Sequence, residues 1–166
     1  MGDRTLRRAF IDELREIYGA EKQLVKAGKK FARAASSPEL RKAFDSHLEE
    51  TTEQVSRLER VFAMFKEKPR GKRCDAIAAI LDQRKTIIDS GFEKSTLDAY
   101  LIAASQRIEH YEIAVYGTLI VWARTLENDD AAELLEDSLD EEKAADEKLS
   151  SLADNGINDA AAEDTD

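Results

Sequence analysis

Apolar residues recur along most of the chain with the spacing of an α-helix. The first stripe contains Leu6, Phe10, Leu14, Ile17, Leu24 and Phe31. It stops at residues 35–38, where Ser37 can cap a second helix whose first position is Pro38. The second stripe ends at residues 68–72, a segment rich in Pro, Gly and basic residues. These signals predict two long helices joined by a short turn.

The second half of the chain repeats this arrangement after a long connection. A shorter apolar stripe at residues 77–88 predicts an extra helix inside the connection, ending near Gly91. Ser95 and Thr96 can cap the third long helix, and residues 127–130 separate it from the fourth. Two helix hairpins joined by a long crossover predict an all-α, ferritin-like four-helix bundle, with the short helix in the B-to-C crossover.

The predicted bundle is one domain that covers residues 1–153. Residues 154–166 are small and acidic, and we expect them to form a flexible tail.

Acidic residues and a histidine interrupt the apolar stripes near the middle of each long helix. The residues on or beside the core faces are Glu21, His47, Glu50, Glu109, Glu112, Glu142 and Asp146. Glu21 and Glu50 lie about 15 and about 14 residues from the first turn, so an antiparallel hairpin places them within about one helical turn in height. Glu112 and Glu142 are placed in the same way around the second turn. The pattern therefore predicts that carboxylates converge at mid-height.

Buried carboxylates need a counter-charge, because an unpaired one costs several kcal/mol. Lys and Arg are absent from these central positions, so bound metal ions are the expected compensation. Carboxylate-rich sites with one or two imidazoles suit iron or manganese, and the ligand types also accommodate zinc. The residues expected to support the ligands by hydrogen bonds are Gln54, Gln106, His110 and Tyr18. For His47, ligation and a supporting role both stay open.

Charge and composition exclude several classes of function. The chain has 35 acidic and 25 basic residues, a formal net charge of -10, which repels nucleic acid and anionic lipid. Cys74 is the single cysteine, and no apolar run reaches the roughly 18 residues of a membrane span. The charged N-terminal segment lacks the apolar core of a secretion signal, so we expect a cytoplasmic protein with no membrane partner.

Four stretches of the chain form a distinctive set: residues 12–23 (DELREIYGAEKQ), 47–51 (HLEET), 106–119 (QRIEHYEIAVYGTL) and 140–147 (DEEKAADE). Together they resemble the YciF-like family of bacterial ferritin-like stress proteins. The resemblance extends to about Asn158, and it implies a ferritin-like fold, a homodimer, a cytoplasmic location and an association with stress responses. Resemblance to ferritin-like di-iron proteins implies five ligands, namely Glu21, Glu50, Glu109, Glu112 and Glu142.

The chain departs from the usual di-iron pattern at three places. That pattern has Glu-x-x-His on two helices, whereas the second helix has His47 three residues before Glu50, and the fourth has Glu142 and Asp146 without a histidine. In the crossover helix, Gln83 stands where we expect family members to have an acid.

Three hypotheses follow from these patterns. The first is a di-metal protein, with two iron ions or with manganese or zinc, which could act as an oxidase or peroxidase in oxidative defence. The second is a non-catalytic, dimeric stress or interaction protein with a polar core and no functional metal. A storage cage is the weakest of the three, because nothing in the sequence indicates an assembly larger than a dimer.

Overall fold

The computed structural model describes residues 5–164, and this part of the chain is helical with short connections. The helices are α1 (Leu6–Ala34), α2 (Pro38–Met64), α3 (Asp75–Ile88), α4 (Lys94–Thr125), α5 (Asp129–Leu152) and α6 (Asn158–Glu163). The predicted all-α class is confirmed, and so is the helix in the crossover. Among residues 5–164, every helix falls short of the continuous apolar length that a bilayer crossing requires.

Side-chain caps set the starts of several helices. Thr5, Ser37 and Asn128 each accept a hydrogen bond from a backbone N–H in the first turn of α1, α2 and α5, respectively. Pro38 occupies the first position of α2, where its missing N–H leaves no helical hydrogen bond unmade. The first hairpin turn is thus specified locally, as the sequence predicts.

The four long helices form a bundle in which α1 packs on α2, α4 packs on α5, and the two hairpins pack together. At one end, the start of α4 and the end of α5 meet the α1–α2 turn, through Ala35, Leu40, Leu101 and Leu149. At the other end, Phe10 and Phe62 lie in one apolar cluster with Leu119 and Leu135. Helices α2 and α4 are therefore parallel, and the connection between them returns along the length of the bundle. This is the ferritin-like topology.

The connection before α3 lies against α1. Its backbone N–H at Lys72 donates to the Arg15 carbonyl at 3.1 Å, and the Gln23 side chain makes hydrogen bonds with both backbone groups of Cys74. A Cβ on Gly19 would lie only 1.7 Å from the Lys72 carbonyl oxygen, so this approach requires a glycine. The glycine contact and the Gln23 clamp position α3 across α1 and α4.

The residues after α5 continue in helical structure. A π-helical turn at Ala153–Ile157, kinked at Gly156, leads into α6, which packs against α4. Ile157 contacts the apolar cluster at that end of the bundle. Regular structure thus continues beyond the predicted boundary at residue 153. The expected flexibility stays a prediction, and residues 1–4 and 165–166 of the two predicted ranges lie outside the described residues.

The start of α4 also differs from the prediction. Its N-cap is Glu93, which makes no side-chain capping bond. Ser95 and Thr96 are instead bound by the Asp164 carboxylate, which accepts the Thr96 backbone N–H at 3.0 Å and both hydroxyls. The capping group comes from the far end of the chain, because the fold brings residue 164 beside the first turn of α4.

Candidate metal centre

The carboxylates lie inside the bundle, between the two apolar clusters. His47 on α2, Glu109 and Glu112 on α4, and Glu142 on α5 each present one metal-binding atom, and these four atoms all lie within 4.8 Å of one another. The three glutamates are buried, and the His47 side chain is one-fifth exposed. The polar layer that the stripes predict therefore exists, and three helices contribute to it.

Glu21 completes the polar layer from α1. Its side chain is fully buried, and its Oε1 accepts a hydrogen bond of 2.5 Å from the Tyr116 hydroxyl on α4. Tyr116 is itself fully buried, so the hydroxyl reaches the carboxylate from within the core. All four long helices thus supply a group to this layer.

His47 is oriented by a carboxylate on its own helix. Its Nδ1 lies 3.1 Å from Glu50 Oε2, in a hydrogen bond across one turn of α2. Its Nε2 points into the cluster, 3.3 Å from Glu109 Oε2 and 3.5 Å from Glu142 Oε2. A carboxylate on one ring nitrogen with the other nitrogen facing acidic side chains is the arrangement of a metal-ligating histidine.

Many carboxylate oxygens in the layer have no hydrogen-bond partner within residues 5–164. They are Glu21 Oε2, Glu109 Oε2, Glu112 Oε1, Glu112 Oε2 and Glu142 Oε2. The contacts from His47 to Glu109 and Glu142 are close but lack hydrogen-bond alignment. Because a buried polar atom without a partner costs roughly 1–3 kcal/mol, more when charged, these five oxygens need either a bound cation or protons shared within the pairs Glu21–Glu112 and Glu109–Glu142.

Burial and mutual repulsion change the acidity of these groups. Burial raises the pKa of Glu112 and of Glu142 well above the ordinary value, and repulsion between neighbouring carboxylates adds to the effect. Burial also raises the pKa of Glu21 to about 7, although the Tyr116 hydrogen bond opposes the change. In the absence of bound cations, the raised pKa values keep protons on these carboxyl groups, and the protons reduce the negative charge of the layer.

The pKa of Glu109 shifts in the opposite direction. Burial acts to raise it, but attraction to His47, together with the more distant Arg84, outweighs burial and lowers it. Burial acts to lower the pKa of His47, yet Glu109, Glu50 and Glu142 together raise it well above the ordinary value. His47 and Glu109 therefore form the charged pair of the layer.

Hydrogen bonds from outside the cluster hold Glu142 in place. Gln54 donates from Nε2 to Glu142 Oε1 at 2.6 Å and to Glu141 Oε2 at 2.9 Å. Arg57 in turn binds both oxygens of Glu141 at 2.9 Å and reaches the Ser138 hydroxyl. The expected supporting contact of Gln54 is thus present in the structure, and the partly buried ion pair of Arg57 and Glu141 fixes its orientation.

Three of the predicted ligands lie outside the group of four: Glu21, whose place in the layer is described above, and two acids nearer the surface. The Glu50 side chain is 42% exposed, and it contacts the cluster only through His47. Asp146 lies toward the surface, where it binds Gln106 Nε2 at 3.1 Å and faces His110 Nε2 at 3.3 Å. A rotation of about 100° per residue separates Glu50 from the inward-facing Thr51, and it leaves the acid at the rim.

The remaining predicted supporting residues also contact other groups. Gln106 and His110 bind Asp146, and the His110 side chain is 68% exposed. The Tyr18 hydroxyl donates to Glu59 Oε1 at 2.7 Å on the outer side of α2, and its ring packs on Phe62. Tyr116 is the tyrosine that makes a hydrogen bond with the layer.

Sequence reasoning missed a buried cation, Arg84 on α3. Arg84 is only 6% exposed, and its guanidinium carbon lies over the rings of Phe31 and Phe44, at 4.1 and 4.8 Å from their centroids. Burial lowers its pKa to about 10, and attraction to Glu109 opposes the change. The central positions of the four long helices have no Lys or Arg, as the sequence shows, but the crossover helix brings this guanidinium beside them. Its neighbour Gln83 faces outward and accepts a hydrogen bond from Arg107.

A cavity of about 450 Å³ between α2 and α5 leads to the candidate centre. His47, Glu50 and Glu109 line its inner part, and Lys42 and Lys148 line its exposed rim. Its volume lies in the range of small-molecule sites. The buried groups are therefore accessible to a small solute.

The residues present fit a carboxylate-bound cation. An imidazole nitrogen and several partnerless oxygens converge within 4.8 Å, which are the donor types that iron and manganese take. The four carboxylates also exceed the two nearby cationic side chains, so the layer has a surplus of negative charge when it is ionised.

Comparison with known proteins places the chain in a family. Residues 5–162 match DUF892, described as a domain of unknown function. Protein YciF of Escherichia coli (strain K12) is 43% identical over 159 residues, covering 95% of this chain and 96% of the relative. The chain belongs to the DUF892, or YciF-like, family. The resemblance seen in the sequence is confirmed.

Three solved structures are similar to this chain in fold. The crystal structure of the E. coli stress protein YciF matches with a TM-score of 0.90 at 43% identity, covering 94% of this chain and 99% of that one. A Rhodopseudomonas palustris protein called YcfI, described as a candidate structural protein, matches with a TM-score of 0.86 at 40% identity, covering 90% and 98%. A Xanthomonas campestris pv. campestris protein at 24% identity, TM-score 0.74, shares the fold over 96% and 97% of the two chains.

Proposed function

We propose that the chain is a ferritin-like di-metal protein that binds iron or manganese and serves in oxidative or general stress defence. The observation that carries the proposal is the layer of five partnerless carboxylate oxygens around His47. His47, Glu109, Glu112 and Glu142 would hold the metal, with Glu21 and Glu50 beside them. Zinc is a further candidate by ligand type.

Each residue of the layer has a task in this proposal. Glu50 fixes the His47 ring so that Nε2 faces the cluster, and Gln54 holds one oxygen of Glu142 so that the other stays available. Tyr116 does the same for Glu21. Bound iron or manganese would supply redox chemistry toward oxygen or peroxide, and the cavity between α2 and α5 would admit these small molecules.

Metal analysis tests the proposal directly. Protein from iron-supplemented culture, or metal-free protein dialysed against Mn(II), should hold about two ions per chain and melt at a higher temperature than the metal-free form. Glu112→Gln keeps the side-chain size but removes a central charge, so it should lose the metal-dependent rise. Glu147→Gln, an exposed substitution on α5, is the matched control and should keep it.

A second candidate is a non-catalytic stress protein whose polar layer holds no functional metal. The charged pair of His47 and Glu109 favours it, because this pair offsets part of the buried charge within the chain. The description of the Rhodopseudomonas relative as a candidate structural protein also supports it. Fewer than one ion per chain, together with unchanged melting on metal addition, would select this function over the first.

A homodimer is part of either proposal. It is supported by the resemblance to the YciF-like family, which implies this assembly. Sedimentation velocity should give the mass of two chains, and a single-chain mass would reject the dimer.

A further inference from the structure

A second, smaller cavity lies beside the candidate centre, between α1, α2, α3 and α4. Its volume is about 50 Å³, and its lining includes Arg84, His47 and Glu109. Since a water needs roughly 10–15 Å³ of such space, the cavity can take a molecule of about three or four non-hydrogen atoms.

Arg84 contributes an unsatisfied hydrogen-bond donor to this cavity. Its Nε has no hydrogen-bond partner within residues 5–164 although the atom is buried. The Thr51 and Ser105 hydroxyls, which also line the cavity, donate to the His47 and Leu101 carbonyls at 2.8 Å, and neither accepts a hydrogen bond from Arg84 Nε. A buried guanidinium with a free N–H is costly unless an acceptor is supplied.

The rings of Phe31 and Phe44 hold the guanidinium in place. They lie 4.1 and 4.8 Å from it, which restricts its rotation and keeps the planar donor group beside the cavity. A planar fork of N–H donors matches two-oxygen and linear anions better than a neutral solute. Glu109 attracts Arg84 from the other side of the cavity, so these two charges alone give it no net sign.

We infer that this cavity is a small-anion site, in which Arg84 binds one end of a monoanion of about three or four non-hydrogen atoms while the other end faces the metal centre. Formate, azide and bicarbonate represent this class. The inference rests on the proposed function, because bound cations would supply the second positive charge that the anion needs. Arg84 is then a binding residue for a ligand of the centre, contributed by the crossover helix.

Calorimetric titration of azide into Mn(II)-loaded protein tests this site. Wild-type protein should bind azide at about one per chain, and Arg84→Met, which keeps the length but not the charge, should bind at least about tenfold more weakly. The matched control is Arg107→Gln, an exposed arginine of α4, which should bind azide as the wild type does. Equal affinity of the wild type and Arg84→Met would overturn the inference.

A measurement on the wild type covers the case in which Arg84→Met does not fold. Formate should displace azide, whereas benzoate, whose ring exceeds the cavity, should not. Displacement by benzoate would place the anion in the larger cavity between α2 and α5 and reject the Arg84 site.

Mn(II) content is measured first, so that the two proposals fail separately. Absence of bound Mn(II) in the wild type counts against the metal centre, and with it the anion site. Bound Mn(II) without azide binding counts against the anion site alone.

Discussion

Replacement of Glu21 by glutamine should stabilise the metal-free protein in a pH-dependent manner. Burial raises the pKa of this carboxyl from 4.5 to about 7. Between these values the unfolded chain has released the proton, but the folded chain keeps it. Stability of the wild type therefore falls as pH rises from about 4.5 to about 7, and it is level above that range.

The size of the effect follows from the shift. A difference of about 2.5 pH units at about 1.36 kcal/mol per unit gives roughly 3 kcal/mol for this fully buried group. Glutamine cannot ionise, yet its Oε1 can still accept the Tyr116 hydrogen bond. The free energy of unfolding of Glu21→Gln, relative to that of the wild type, should therefore be roughly 3 kcal/mol higher at about pH 7.5 than at about pH 4.5.

The assay is urea unfolding in the presence of a chelator, followed by circular dichroism at both pH values. Glu147→Gln, an exposed acid on α5, is the control, and it should change the free energy of unfolding by a small and equal amount at the two values. If Glu21→Gln also shifts the free energy equally at both, Glu21 does not hold a proton in the folded protein and the reasoning is wrong.

Three further perturbations test other parts of the structure. Gly19→Ala should lower the free energy of unfolding by about 2 kcal/mol or more, because its Cβ would clash with the Lys72 carbonyl. The control Gly117→Ala, whose Cβ would meet no atom within 4 Å, should raise the free energy of unfolding by about 0.5–1 kcal/mol. If thermal unfolding showed the two variants to be destabilised equally, the contact between Gly19 and Lys72 would be contradicted. Mn(II) binding near pH 7 should release about two or more protons, and its affinity should increase as pH rises, because burial raises the pKa of candidate ligands such as Glu112. Calorimetry in buffers of different ionisation enthalpy measures the number of protons released. An affinity that does not change with pH would exclude this coupling between metal binding and proton release. Hydrogen bonds from Thr96 lower the pKa of Asp164 below its ordinary value of 3.8, so the Asp164 cap is fully present above pH 3.8 and is lost as pH falls through the lowered pKa. Asp164→Asn should speed hydrogen exchange of the Thr96 amide near neutral pH. Unchanged exchange at Thr96 would argue against the cap.

The crossover helix has a larger part in the candidate centre than its length suggests. It has 14 residues and contacts α1 and α4, yet it delivers the buried guanidinium nearest to Glu109. The glycine contact at Gly19 and the clamp from Gln23 fix the connection that leads into it. Substitution of Gly19 or Gln23 should therefore also weaken anion binding at the proposed Arg84 site, although both residues lie on α1.

Local rules were sufficient for the helices and for the level of the polar layer. Apolar spacing located every long helix, and Ser37 with Pro38 marked the start of α2 because capping depends on neighbouring residues alone. Counting from the turns placed Glu21, Glu112 and Glu142 at one height, and the structure buries all three there. A fixed rise per residue makes height readable from sequence.

Rotation about each helix axis was decided only by packing. Neighbouring positions differ by about 100°, so residues beside a stripe can face either way. The bundle turns His47 and Gln54 inward and leaves Glu50 and Asp146 toward the surface.

Contacts between distant segments also depended on the tertiary structure. Arg84 did leave a signal, since it stands seven residues after Ile77 and three before Ile87 on the apolar face of α3, and it interrupts that stripe as the acids interrupt theirs. The residues that contact Arg84 depend on where the crossover helix packs. The Asp164 cap on α4 likewise depends on the kink at Gly156. Helical periodicity is a property of neighbours along the chain, whereas these contacts join residues that only the assembled core brings together.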